Sequence, residues 1–208
     1  MNLSLQRFAT LIAPLAAAVV LAGCLGGGAA RQSAGPQRYD LGPVSEVPEG
    51  RTLSRGPIAL TVDAAPTLSD TGMLWRVADS AAPQAYAQAR WATSPVNLVR
   101  QRLVELLSRN GPVVTESVVS DVPQLRLTLT QFEQIFSADG TSSEGRIGIQ
   151  ALLLQDRKVL ASTRFDLRAP AATQDAEGGV QALREALNKG ADELAYWVAA
   201  QGAPARIK

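Results

Sequence analysis

Few side chains in this sequence have the chemistry and the spacing that catalysis needs. The 208 residues include no histidine and a single cysteine, Cys24. Imidazole catalysis, disulfides and zinc sites made of cysteine and histidine are therefore excluded. Lysine occurs only at Lys158, Lys189 and Lys208, which leaves few bases for a serine nucleophile. Cys24 is the one residue whose surroundings indicate a specific chemistry.

The acidic residues do not form a catalytic pattern. They stand singly beside turn residues, at Asp63, Asp79, Asp121 and Asp139. Solvated loop carboxylates are the favoured interpretation, and a carboxylate pair formed only by folding is the alternative. The sequence has no phosphate-binding loop, nucleophile elbow or HExxH motif. We predict that the protein is not an enzyme, with a periplasmic hydrolase as the weaker alternative.

The residues around Cys24 indicate export and lipid attachment. Arg7 is the only charge before an uncharged apolar run, Phe8–Val20, and small residues follow. That order is typical of a secretory signal, and the run is shorter than the about 20 apolar residues that span a bilayer. Leu21, Ala22, Gly23 and Cys24 match the bacterial lipobox, in which the thiol receives a diacylglyceryl group. We therefore predict a signal peptide over residues 1–23 and a lipid anchor on Cys24.

The residues after the cysteine suggest where the protein is held. Two or more acyl chains anchor a protein stably, whereas one binds only marginally. Leu25, in place of an aspartate, favours the periplasmic face of the outer membrane. Residues 24–38 are rich in Gly, Ala, Ser and Gln and predict a flexible tether that reaches roughly 20 Å. A domain over residues 39–200 and a disordered tail over 201–208 complete the predicted organisation.

The charge of the mature chain limits its partners. Cleavage removes one basic residue, Arg7, and no acidic residue, which leaves 19 of each. A formally neutral chain does not support the basic surface that nucleic-acid binding needs. We expect no nucleic-acid partner, and no metal or cofactor beyond the lipid on Cys24.

Hydrophobic periodicity predicts an α+β domain. Strands are indicated at residues 58–62, 74–77 and 85–88, followed by a helix that Ser94 caps and Pro95 begins. A three-stranded meander and a long closing helix follow. We predict an antiparallel sheet with both helices packed on one face. Four inward-facing meander residues are predicted to be buried: Leu127, Leu129, Ile149 and Phe165.

The phase of the first meander strand changes along its length. Leu125, Leu127 and Leu129 occupy odd positions, whereas Phe132 and Phe136 occupy even positions. One extra residue near Thr130-Gln131 would account for the change, so we predict a β-bulge there.

Aromatic residues cluster before the first helix and at the end of the first meander strand. Trp75 and Trp91 flank short strands and loops, and we single them out as candidate contacts with a partner. Ordinary core packing is the alternative for both tryptophans and the favoured interpretation for Phe132 and Phe136. The arginines of the first helix, Arg100, Arg102 and Arg109, are predicted to lie on its surface.

The order of segments resembles that of the ABC-type transport auxiliary lipoproteins, including the paraquat-inducible intermembrane transport lipoproteins. The segments that carry the resemblance are, in order, residues 39–41, 89–91, 95–103, 125–127, 132–136 and 159–165, with Ala182, Ala186, Leu187 and Trp197 in the closing helix. Each segment is mostly apolar pattern, so the order provides the specificity.

The resemblance implies a transport role without catalysis. Members of that family look like outer-membrane partners of inner-membrane ABC transporters that carry a mammalian-cell-entry (MCE) protein. It implies a partner with an MCE domain, a cargo of phospholipid or another hydrophobic compound, and a role in docking and shielding. It leaves a homo-oligomer open. The alternative function is a structural or assembly lipoprotein that binds an outer-membrane partner.

Overall fold

The structure is a computed structural model, and it describes residues 35–44, 55–115 and 122–202. The predicted signal peptide, the lipobox with Cys24 and most of the tether lie outside the described residues, as do residues 203–208 of the predicted tail. Eight strands are described: β1 (Gln37–Tyr39), β2 (Ile58–Ala64), β3 (Gly72–Val77), β4 (Gln84–Trp91), β5 (Val113–Val114), β6 (Gln124–Phe136), β7 (Ser143–Gln155) and β8 (Lys158–Pro170). The helices are α1 (Pro95–Ser108) and α2 (Ala176–Gly202), with a 3-10 turn at Pro66–Leu68.

Strand β6 is the centre of the sheet because it pairs with three other strands. One edge pairs antiparallel with β7, which pairs antiparallel with β8. The other edge pairs parallel with β2 along the first half of β6 and with β3 along the second half. β5 extends the sheet beside β2, whereas β4 and then β1 extend it beside β3. The described sheet therefore divides into two branches beyond β6.

The sheet is mixed, which corrects the predicted antiparallel sheet. The fold class is α+β with two helices, as predicted, but β2 and β3 both run parallel to β6. Parallel pairing needs a long return connection, and here the β4 hairpin and α1 provide it between β3 and β6. Alternation of apolar residues shows which face of a strand is buried and carries no information about its direction.

The predicted bulge is confirmed in β6. The pairing of β6 with β7 shifts register between Leu129 and Gln131. Leu125, Leu127 and Leu129 on one side of the shift and Phe132 on the other are all buried. An extra residue in one strand of an antiparallel pair reverses the alternation beyond it, which keeps both halves of β6 turned towards the core. Ile149 is also buried, whereas Phe165 is only half-buried, against Trp197.

The two helices contact each other and different parts of the sheet. α1 contacts β2, and α2 contacts β6, β7 and β8. α1 begins at Pro95 as predicted, although the Ser94 side chain makes no capping hydrogen bond. The predicted apolar positions of α2 are all buried, namely Val180, Leu183, Leu187, Ala191, Leu194 and Val198. No helix in the described ranges is both long and apolar enough to cross a membrane.

Two boundaries differ from the predicted ones. Residues 37–39 form β1 and pair with β4, so the folded domain begins inside the segment predicted to be tether. α2 continues to Gly202, past the predicted domain end at residue 200. Short edge strands and last helical turns depend on their neighbours, and a polar or glycine-containing sequence does not reveal them.

Candidate functional site

An apolar groove lies at the end of β6 that is farther from Gln124. The parallel register places Trp75 beside Gln134 and Val77 beside Phe136, and β4 brings Tyr86 to the same place. The groove has a volume of about 430 Å³ and is lined by Trp75, Val77, Ala85, Tyr86, Ala87, Phe136, Gly140 and Gln174. We call it the aromatic groove. None of its lining residues carries a formal charge except by ionisation of Tyr86.

Three rings form the wall of the aromatic groove. The centroid of the Trp75 ring lies 6.1 Å from that of Tyr86, with the planes tilted by 46°. It lies 5.6 Å from the Phe136 ring in an edge-to-face arrangement of 79°. These separations are in the favourable range for aromatic pairs, so each ring restricts the others. All three rings remain half-buried, and Val77 is 40% exposed. The wall is therefore preformed and open to a ligand.

A chain of hydrogen bonds connects groove residues to buried side chains behind the rings. The Tyr86 hydroxyl donates to Oε1 of Gln134 at 2.8 Å, and Nε2 of Gln134 donates to Oγ of Ser143 at 2.8 Å. The Ser143 hydroxyl donates in turn to Oε1 of Gln174 at 2.8 Å. Gln134 is 1% exposed, so its amide must find partners inside the protein. The chain holds the Tyr86 ring against Trp75 and gives the buried amide its partners.

Ionisation around the groove favours a neutral wall and a negative rim. Burial, and to a smaller extent the nearby carboxylate of Asp175, raises the pKa of Tyr86 to about 12. The Gly178 backbone N–H and the Thr173 hydroxyl donate to Asp175 and lower the pKa of that carboxyl. Asp175 is therefore ionised at neutral pH. It follows Gln174 in the chain and lies at the rim of the groove.

A second carboxylate stands in the loop that carries Gly140. Hydrogen bonds from the Ser137 hydroxyl and from the backbone and hydroxyl of Thr141 lower the pKa of Asp139 to about 2. At neutral pH, Asp139 and Asp175 are both negative next to groove-lining residues. An apolar surface with a negative rim suits an apolar group that has positive charges beside it.

Of the two tryptophans predicted as partner contacts, only Trp75 lies in an open site. Trp91 is 1% exposed and packs on Phe132, with 5.3 Å between the ring centroids. The pairing of Trp91 with Tyr39 and the start of α1 near it place the ring inside the core. The prediction that Trp91 offers a partner contact is therefore wrong.

The prediction that Arg102 lies on the surface is also wrong. Its side chain is 3% exposed and donates from Nη2 to the carbonyl of Leu41, while Nε has no partner. Burial lowers the pKa of Arg102, with Glu105 and Asp40 acting in the opposite sense. It holds the segment after β1 against α1, a role that helical spacing does not reveal.

The chemistry of the aromatic groove is that of binding. Within the described residues, no group of three or more acidic or cysteine side chains is arranged to hold a metal ion. The groove offers three rings, aliphatic side chains and one fixed hydroxyl, which contact apolar groups without transferring atoms. Trp75, Tyr86 and Phe136 stand out in the sequence as aromatic residues near strand ends. No sequence pattern predicted that they would line a groove together with Gly140 and Gln174.

Comparison with known proteins identifies the family. A crystal structure of a protein from Xanthomonas campestris matches with a TM-score of 0.66 and 22% identity, covering 80% of this chain and 96% of that one. A crystal structure of an uncharacterized protein matches with a TM-score of 0.62 and 18% identity, covering 79% and 99%. These similarities establish a shared fold. No curated protein was found to match the chain. The family model for the ABC-type transport auxiliary lipoprotein component matches residues 39–195, so this chain belongs to that family.

Proposed function

We propose that this protein is the outer-membrane component of an ABC/MCE-type transport system that moves phospholipid or another hydrophobic compound between membranes. Membership of the transport auxiliary lipoprotein family carries this proposal. The protein would act by docking and shielding, while the ATPase of the inner-membrane transporter supplies the energy. The lipobox at residues 21–24 supports a membrane anchor, and Leu25 supports the outer membrane.

The aromatic groove is the proposed contact surface. Its rings already hold each other, so a partner that fills it does not have to order them. Removing apolar surface from water contributes about 25 cal/mol per Å², and this favours a partner with an apolar or aromatic side chain at its tip. The carboxylates of Asp139 and Asp175 favour lysine or arginine beside that side chain. We assign this partner to the MCE protein.

Position-specific photo-crosslinking in intact cells tests the proposal. A photoreactive residue at position 77 would contact whatever occupies the groove, because Val77 lines the groove and is 40% exposed. The control position is 196 on α2, where Tyr196 is 44% exposed and lies outside the groove lining. We expect an MCE protein to be captured from position 77 and not from position 196.

The same experiment separates the alternative function. Capture of outer-membrane assembly proteins alone from position 77, with no MCE protein, would assign the chain to the structural lipoproteins. Capture of lipid instead of protein would mean that the groove binds the transported cargo and that the protein partner contacts another surface.

A further inference from the structure

The turn between β7 and β8 has an unusual backbone for its residues. β7 ends at Gln155 and β8 begins at Lys158, so Asp156 and Arg157 alone form the turn. Both have positive φ, at 50° and 63°. Such two-residue turns favour Asn-Gly because a side chain destabilises this conformation. The turn presents a charged arginine where glycine would be less strained.

Beside this turn, β8 exposes two apolar side chains. Leu153 pairs with Ala161 and Leu154 pairs with Val159, so Leu160 is the extra residue of a bulge. Val159 is 59% exposed and Leu160 is 47% exposed. Only Val77 and Tyr196 are comparably exposed among the large apolar residues of the described ranges. Two of the four exposed large apolar side chains are therefore adjacent, and we call residues 155–160 the hairpin tip.

Positive charge surrounds this apolar pair. Arg157 and Lys158 are exposed within the hairpin tip. Arg126 of β6 is also exposed and pairs with Leu152, two residues before Leu154 on the same side of β7. Asp156 is the one carboxylate within the hairpin tip. The charge here is opposite in sign to that of the rim of the aromatic groove, which lies at the other end of β6.

We infer that the hairpin tip is a second membrane contact, in which Val159 and Leu160 enter the interface of an anionic bilayer. Exposed apolar side chains flanked by lysine and arginine are the combination that binds such surfaces, because each cation is attracted to anionic headgroups. The membrane is the one that holds the acyl chains of Cys24, so this inference rests on the lipid attachment in the proposed function.

The dimensions of the domain and of the predicted tether agree with this contact. Arg38 of β1 pairs with Arg90 of β4, and Arg90 pairs with Gly72 of β3. Two residues after Gly72, Leu74 pairs with Glu133 of β6. The amino-terminal end of the domain therefore lies level with the middle of β6. From there to Gln124, beside the hairpin tip, β6 extends about 20 Å at roughly 3.3 Å per residue. Residues 25–36 predict a tether with a reach of about the same length. A tether of that reach would allow the hairpin tip to touch the membrane.

This contact also orients the aromatic groove. The groove and the hairpin tip lie at opposite ends of β6. When the hairpin tip rests on the outer membrane, the groove faces the periplasm, from which an inner-membrane partner approaches.

A fluorophore placed on the hairpin tip tests the inference. The lipidated full chain has no free thiol once Cys24 is acylated, so Val159→Cys creates one labelling position. The labelled protein is reconstituted in phosphatidylcholine vesicles with about one-third phosphatidylglycerol, with and without a lipid-borne quencher. We expect blue-shifted, quenchable emission from position 159. The control, Val77→Cys at the opposite end of β6, should not be quenched by the lipid-borne quencher.

Charge reversal tests the electrostatic part. Arg157→Glu combined with Lys158→Glu should weaken the contact at position 159 by about tenfold or more, since each lost cation weakens binding to an anionic surface. Lys189→Glu on α2, an exposed lysine paired with Glu185, reverses a charge away from the hairpin tip and should leave the quenching unchanged. Vesicles of phosphatidylcholine alone should resemble the double variant.

Three results would overturn the inference. The first is absence of quenching at position 159 in vesicles that incorporate the protein. The second is equal quenching at positions 159 and 77. The third is equal quenching at position 159 in anionic vesicles and in vesicles of phosphatidylcholine alone. Capture of an acidic protein by a photoreactive residue at 159 would assign the hairpin tip to that protein instead. A chain that fails to incorporate in vesicles at all would contradict the lipid anchor of the proposed function, which is a separate outcome.

Discussion

Trp75 is the middle ring in the wall of the aromatic groove, since it contacts both Tyr86 and Phe136. Aromatic side chains of this kind often contribute most of the energy of an interface. Trp75→Ala should weaken co-purification with the MCE protein by about 2 kcal/mol, roughly 30-fold in affinity. The control is Tyr196→Ala, an exposed aromatic residue on α2, which should bind as the native chain does. Equal loss of binding in both variants would contradict the role of the groove.

The hydroxyl of Tyr86 can be tested separately from its ring. Its pKa is raised from the usual 10.0 to about 12, chiefly by burial. Between these values, the unfolded chain releases the proton while the folded chain keeps it, so the free energy of unfolding should fall as pH rises from about 10 to about 12. Ultraviolet absorbance should show a tyrosinate transition near pH 12 that Tyr86→Phe removes and Tyr196→Phe retains. A native titration that persists in Tyr86→Phe would place the shifted group elsewhere.

Strand β6 pairs directly with β2, β3 and β7, so its inward-facing residues are expected to be sensitive to truncation. Leu127 is 1% exposed and lies between β2 and β7. Leu127→Ala should lower the free energy of unfolding by about 2–5 kcal/mol, because it removes buried methyl groups and leaves a cavity. Thr128→Ala changes the next residue of the same strand, which is exposed, and should change stability by about 0.5 kcal/mol or less. Chemical denaturation compares the two variants, and equal stabilities would contradict the burial of Leu127.

Helix α1 shows how an element can differ from its own periodicity. Its apolar positions and its start at Pro95 follow from the sequence. Arg102, however, is buried because the segment after β1 lies over it and offers the carbonyl of Leu41. A helical pattern describes an isolated cylinder, whereas the burial of one polar position depends on the segment that covers it.

At the scale of the whole molecule, the proposed lipid anchor on Cys24 would determine where the domain acts. Cys24→Ser should leave unprocessed precursor, because no thiol remains to receive the diacylglyceryl group. Mass spectrometry of the native amino-terminal peptide measures this directly, with an acylated Cys24 expected as the first residue. An unmodified Cys24, or cleavage at another bond, would contradict the anchor. Ser33→Ala, which changes a residue of the predicted tether, should be processed as the native chain is.

The sequence by itself determined the features that depend on neighbouring residues along the chain. The spacing of apolar residues in α2, the start of α1 at Pro95 and the phase change near Thr130 each predicted an element or an irregularity that the structure confirms. These features follow from local geometry, in which a repeat of 3.6 or 2 residues places side chains on one face. The order of segments was enough to indicate the family.

Only the tertiary structure decided which segments become neighbours. Trp75 and Trp91 stand in similar sequence surroundings, yet one lines an open groove and the other lies in the core. The parallel direction of β2 and β3, the burial of Arg102 and the meeting of Gly140 with Gln174 have the same origin. A residue's exposure is set by what packs over it, and distant parts of the chain supply that cover. Local patterns specify which face of an element is buried, but they do not specify its partner.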